Sequence, residues 1–127
     1  MPGSMLRILL DANMPIGLRA AFPDHRVLTA FEMGWGELTN GKLLTAAEEA
    51  GFSVMITGDK NIVHQQNLAT RQLALVVLPT NLWPTIRGNL AAIVIAAEEA
   101  TPGSYAVLMF ERPPLRRRPW PTGQIDP

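Results

Sequence analysis

The chain has 127 residues, 47% of them hydrophobic, with eleven basic and eleven acidic side chains. That length fits one domain with a core of its own, and the apolar content excludes disorder as a description of its body. There is no cysteine, which excludes disulfides, thiolate metal sites and cysteine nucleophiles, so a metal would rest on oxygen ligands or on His25 and His64.

The opening Met1-Pro2-Gly3-Ser4-Met5 lacks the basic run and apolar stretch of an export signal. Residues 1–4 read as an expression-vector remnant, with Met5 the natural start and an α/β domain expected over 5–111. Leu6 to Leu10 is a short apolar run, interrupted by Arg7 and ending at Asp11. Pro15 stands where a first helical turn would begin, followed by Ile16, Leu18 and Ala21. His25 to Ala30, with Val27 and Leu28, reads as a second strand.

Asn40 to Ala50 has helical spacing, with Leu43, Leu44, Ala47 and Ala50 on one side and Gly51 placed to cap it in the left-handed conformation. Ser53 to Thr57 and Leu73 to Leu78 are continuously apolar or nearly so, which is how strands buried on both faces read. Pro84 to Ala100 is expected to be one helix, with Ile86, Leu90, Ile93, Val94 and Ala97 at helical spacing before Thr101-Pro102-Gly103. Tyr105 to Phe110 reads as the last strand. Strands alternating with helices predict a three-layer α/β fold, a mainly parallel central sheet with helices on both faces. No apolar stretch approaches the roughly 20 residues of a membrane span. A cytoplasmic protein with no membrane association is therefore expected.

From Arg112 the chain becomes rich in proline and arginine, and 112–127 reads as an extended or disordered tail. Its functional alternative is a strap on a partner subunit or a nucleic-acid contact through Trp120 and the arginines. Arg112, Arg116, Arg117 and Arg118 are four of the eleven basic residues, and only Asp126 of the acids lies with them, which leaves seven basic against ten acidic residues in the body. A slightly acidic body argues against gripping nucleic acid by its overall field.

Chemistry is expected at the strand ends, because ligands of open parallel sheets bind beyond the carboxyl edges. Two strands end in aspartate, as Leu10-Asp11-Ala12-Asn13 and Thr57-Gly58-Asp59-Lys60-Asn61. Either aspartate alone could simply cap a helix or stabilise a turn. The repeated Asp-x-Asn favours one shared site. Two converging carboxylates repel unless a cation lies between them, and oxygen ligands favour Mg2+ or Mn2+. Such an ion polarises a phosphodiester and orients an attacking water. Asn13 and Asn61 could serve as direct or supporting oxygen ligands, while Lys60 and Arg71 could meet phosphates.

These residues, Ile8-Leu9-Leu10-Asp11-Ala12-Asn13-Met14-Pro15 with Met33-Gly34-Trp35, Leu38 to Leu44, Ala46 to Gly51, Thr57 to Asn61 and Gln65-Gln66-Asn67-Leu68, resemble the PIN-like domains of small bacterial predicted nucleases linked to toxin–antitoxin systems. The resemblance covers roughly residues 5 to 110. It implies a PIN-like fold, metal-dependent RNA cleavage, and metal-ligand and catalytic roles for Asp11 and Asp59. Asn13, Asn40 and Asn61 become supporting residues, and Lys60, Gln65 and Arg71 candidate substrate contacts. RNA is the expected substrate, and an antitoxin protein and a second copy of the chain are candidate partners. PIN nucleases gather three or four acids, and this family often carries one where Asn40 stands. Glu37 could compensate or be a solvated loop residue.

His64 could donate to a phosphate or anchor a loop. Gln65, Gln66 and Asn67 could line the site or satisfy local backbone. Trp35 could pack as an anchor or offer a base platform, and Trp83 is expected to pack ahead of the last helix. The main alternative to a nuclease is a catalytically weakened module that binds RNA or a protein. An aspartyl-phosphate phosphatase fits poorly, since Asn13 occupies the place of the proton-donating acid.

Overall fold

The structure, a computed structural model, describes residues 5–110. The expectations for residues 1–4 and for the Arg112–Pro127 tail lie outside the described residues. Five strands form one all-parallel sheet: β1 (Arg7–Leu10), β2 (Arg26–Thr29), β3 (Val54–Thr57), β4 (Ala74–Val77) and β5 (Tyr105–Val107), in the order β2-β1-β3-β4-β5. The expectation of a mainly parallel α/β sheet holds, and every ladder is parallel.

Alternation along the strands divides the interior into two cores. Ile8, Leu10, Val54, Ile56, Ala74 and Val76 face one layer. It holds a 3₁₀ helix (Ile16–Ala21) and the helices α3 (Trp83–Arg87) and α4 (Leu90–Glu98). Leu9, Met55, Leu75 and Val77 face the other layer, formed by α1 (Asn40–Glu49), α2 (Ile62–Gln65) and a second 3₁₀ helix (Leu68–Thr70). β3 and β4 are buried at every position, which explains their unbroken apolar runs. Arg7 interrupts the apolar run of β1, and its guanidinium lies 4.8 Å over the Phe52 ring, a cation–π contact.

Helix α1 ends as its sequence predicts, with Gly51 at φ +88°. The stretch from Pro84 to Ala100 is not one helix but two, α3 (Trp83–Arg87) and α4 (Leu90–Glu98). At the break Asn89 leaves helical geometry with φ −130° and ψ 24°, and its Nδ2 donates 2.8 Å to the Thr85 carbonyl. An asparagine side chain thus takes over a backbone acceptor and stops the first helix, a competition that apolar periodicity does not register. The last strand also stops early, at Val107. It is an edge strand with Tyr105 and Val107 exposed, not one buried on both faces. Among the described residues no helix is long and apolar enough to cross a membrane.

Candidate functional site

The strand order reverses between β1 and β3. β1 leads outward to β2 on one side, while β3 leads to β4 on the other. The crossovers diverge there and leave a crevice at the carboxyl edge of the sheet. Asp11 follows β1 and Asp59 follows β3, so both flank this point.

Register does the first part of the positioning. Leu10 pairs with Ile56, and the Asp11 N–H donates to the Ile56 carbonyl at 3.0 Å. The next position brings Asp11 beside Thr57, and alternation puts both side chains on the α1 side. The fully buried Thr57 hydroxyl donates to Asp11 Oδ2 at 2.6 Å. Thr57 Oγ1 in turn accepts from the Asp59 N–H at 3.0 Å. One threonine therefore ties the two aspartate segments together.

Each carboxylate is held further by its own loop. Asp11 Oδ1 accepts from the Ala12 N–H at 2.7 Å, and Asp59 Oδ1 accepts from the Asn61 N–H at 2.9 Å. Asn40, the first residue of α1, donates from Nδ2 to Asp59 Oδ2 at 2.8 Å and reaches Gln65 Oε1 at 3.4 Å. A cleft of about 650 Å³ opens above, lined by Asp11, Asn13, Asn40 and Asp59 from the predicted set, with Pro79, Thr80 and Asn81 beyond β4.

The remaining predicted residues are placed differently. Asn61 contributes its backbone N–H, with its side chain exposed, and Lys60 is exposed. Gln65 touches the site through Asn40 and lines a second cleft, about 1040 Å³, on the other side of that residue. Arg71 does not reach the carboxylates. Its Nη1 donates to Glu48 Oε1 at 2.8 Å and to Thr45 Oγ1 at 3.3 Å, and it lines the second cleft. Glu48 explains this placement, because its other oxygen accepts from the Gln72 N–H at 2.6 Å and fixes α1 to the start of β4.

Glu37 is exposed and does not line the carboxylate cleft, although its neighbour Gly36 does. Trp35 is an anchor, packed edge-on to Phe52 at 6.0 Å. Trp83, the first residue of α3, packs against the core and over Gly17, and His64 is exposed on α2. His25 lies at the amino-terminal end of the sheet, where Nδ1 accepts from the Leu6 N–H at 3.0 Å and Nε2 meets Glu98 at 2.8 Å.

Sequence reasoning missed Thr57, Thr80 and Asn81. A buried threonine at a strand end reads as a β-former, and residues after β4 border the crevice only because β4 lies next to β3.

The donor set is oxygen-rich but small. Among the described residues no group of three or more histidine, aspartate or glutamate side chains converges. The four carboxylate oxygens each accept one hydrogen bond from the protein, which leaves each a further lone pair. That arrangement fits a hard divalent ion that takes one or two carboxylates and fills its other positions with water or ligand oxygens. Asp11 and Asp59 would hold it, and the Asn13 side-chain oxygen in the same cleft could join them. Comparison of the chain with profiles of known families, with curated proteins and with solved structures returned no match.

Proposed function

We propose that the chain is a metal-dependent nuclease that hydrolyses RNA phosphodiesters, with Asp11 and Asp59 as its catalytic carboxylates and Mg2+ or Mn2+ as its ion. The observation that carries this reading is the pair of carboxylates at the switch point of the sheet, facing one cleft and bridged by Thr57. A bound divalent ion would polarise the phosphodiester and lower the pKa of an attacking water. The chain's own residues fix both carboxylates at one cleft, Thr57 and the Ala12 N–H holding Asp11, and Asn40 and the Asn61 N–H holding Asp59. Asn13, Thr80 and Asn81 offer neutral groups to the rest of the substrate without adding negative charge against a phosphate. On this reading RNA is the substrate, an antitoxin protein or a second copy of the chain a partner, and the cytosol the compartment.

A second reading, a PIN-like module that binds RNA or a protein without cleaving, is favoured by one contact. Where the resembled family often has a third acid, Asn40 presents an amide donor to Asp59. This neutralises part of the carboxylate's hydrogen-bonding capacity and adds no ligand charge.

Calorimetric titration with MgCl2 and MnCl2 on the parent and on Asp11→Asn tests the site, followed by cleavage of a labelled RNA. The expected outcome is metal binding that vanishes in the variant and cleavage that falls by about 100-fold or more. Metal-independent cleavage would remove the metal-dependent mechanism, and cleavage by Asp11→Asn and Asp59→Asn as fast as by the parent would remove the site assignment. Binding of RNA with no cleavage at millimolar metal would select the second reading.

A further inference from the structure

The larger cleft is not where the carboxylates are. It runs along the start of α1, between Lys42 and Thr45 on the helix and the side chains of Gln65 and Gln66 on the segment after β3. Asn40 belongs to the lining of both clefts, and its Nδ2 reaches Asp59 on one side and Gln65 on the other. The two openings therefore share Asn40 as a common wall.

The chemistry of this second cleft is specific. Arg71 is drawn onto Glu48, and Glu49 offsets Lys42, so the cleft offers no strong positive field. No aromatic side chain lines it. Its polar capacity lies in amides and hydroxyls. The Gln66 amide stands over Gly41, its atoms 3.4 and 3.5 Å from where a Cβ would be. A ligand here would be held by hydrogen bonds to its edges, with Lys42 the lining cation that takes part in no ion pair among the described residues. Primary amides pair with the donor and acceptor edges of unstacked bases.

We propose that this cleft is the binding site for the single-stranded RNA that flanks the scissile phosphate, with the Gln65 and Gln66 amides reading base edges and Lys42 meeting one phosphate. The inference rests on the nuclease reading for its substrate class but concerns a different surface. It predicts recognition by base edges with weak salt dependence. One or two phosphate contacts give a slope of log affinity against log salt of about −0.7 to −1.4, whereas binding through the four arginines of the 112–127 tail would give about −2.8.

The test is fluorescence anisotropy of a labelled single-stranded RNA dodecamer with the full chain in EDTA, across a salt series. The variants are Gln66→Ala and Lys42→Glu. Lys42 lies in the first turn of α1, where an acid favours the helix dipole, so a loss of affinity in that variant is not a loss of fold. Matching thermal midpoints of all three proteins complete that control. The expected result is a shallow slope in the parent and about fivefold weaker binding for each variant. A parent that does not bind, variants that bind as tightly as the parent, or a slope near that of the arginine tail would each overturn the proposal. Cleavage in Mg2+ or Mn2+ is read separately. Groove-dependent binding without cleavage defeats the nuclease reading alone, and cleavage with groove-independent binding defeats this proposal alone.

Discussion

Thr57 holds the site with a single oxygen. Its hydroxyl donates to Asp11 and accepts from the Asp59 backbone, and it does both while fully buried. Thr57→Val keeps the shape but leaves a carboxylate oxygen and a part-buried N–H without that partner. The expected cost is about 1–3 kcal/mol, measured by urea unfolding, with Thr57→Ser retaining most of the stability. A valine variant as stable as the parent would show that water replaces the hydroxyl. At this scale the sequence was half legible. Asp11 and Asp59 stand out because each follows an apolar strand. Thr57 does not, since its partner is 46 positions away and only register brings them together. Arg71 is the converse case. Its charge is plain in the sequence, but the carboxylate that captures it, Glu48, lies 23 positions earlier on another element.

Two turns illustrate how much an element end depends on its surroundings. Gly51 closes α1 at φ +88° and Gly103 joins α4 to β5 at φ +78°. Their backbones are alike but their neighbourhoods are not. A Cβ at Gly51 would meet only the flexible Arg7 side chain, at 3.7 Å or beyond, while one at Gly103 would meet the Arg71 and Leu68 carbonyl oxygens at 3.0 Å. Gly51→Ala is therefore expected to cost about 1 kcal/mol, the conformational penalty alone. Gly103→Ala is expected to cost about 2–3 kcal/mol, because backbone oxygens cannot swing aside. Equal losses in chemical denaturation would mean that conformation alone sets both values. The cap at Gly51 was legible because helix periodicity stops there. The break at Asn89 was not, because apolar spacing runs through it while a side-chain hydrogen bond to Thr85 decides the geometry. The single-turn helix α2 was hidden for a related reason, being too short to carry a period.

At the scale of the whole molecule, the strand count and the parallel class were readable from five apolar runs alternating with helical ones. The order β2-β1-β3-β4-β5 was not. It is this order that creates the crevice, puts Thr80 and Asn81 at its rim, and leaves β5 as an edge with exposed Tyr105 and Val107. Composition reports which faces are buried but not which strand is whose neighbour. Every ladder joins strands separated by a crossover, and none is a hairpin. Loop-closure entropy must then be met before any pairing is rewarded. Refolding by stopped-flow fluorescence of the tryptophans is expected in the millisecond-to-second range. A microsecond phase carrying the whole amplitude would contradict it.

The central place of β1 has a consequence during synthesis. It is made before the other four strands of the sheet, and both of its edges wait for segments made later, β2 on one side and β3 on the other. Until the residues through Asn61 have emerged, Asp11 lacks Thr57 and the Asp59 loop has not formed. The two halves of the site meet only after β3 has been made. A nascent chain halted before β3 therefore carries no assembled site.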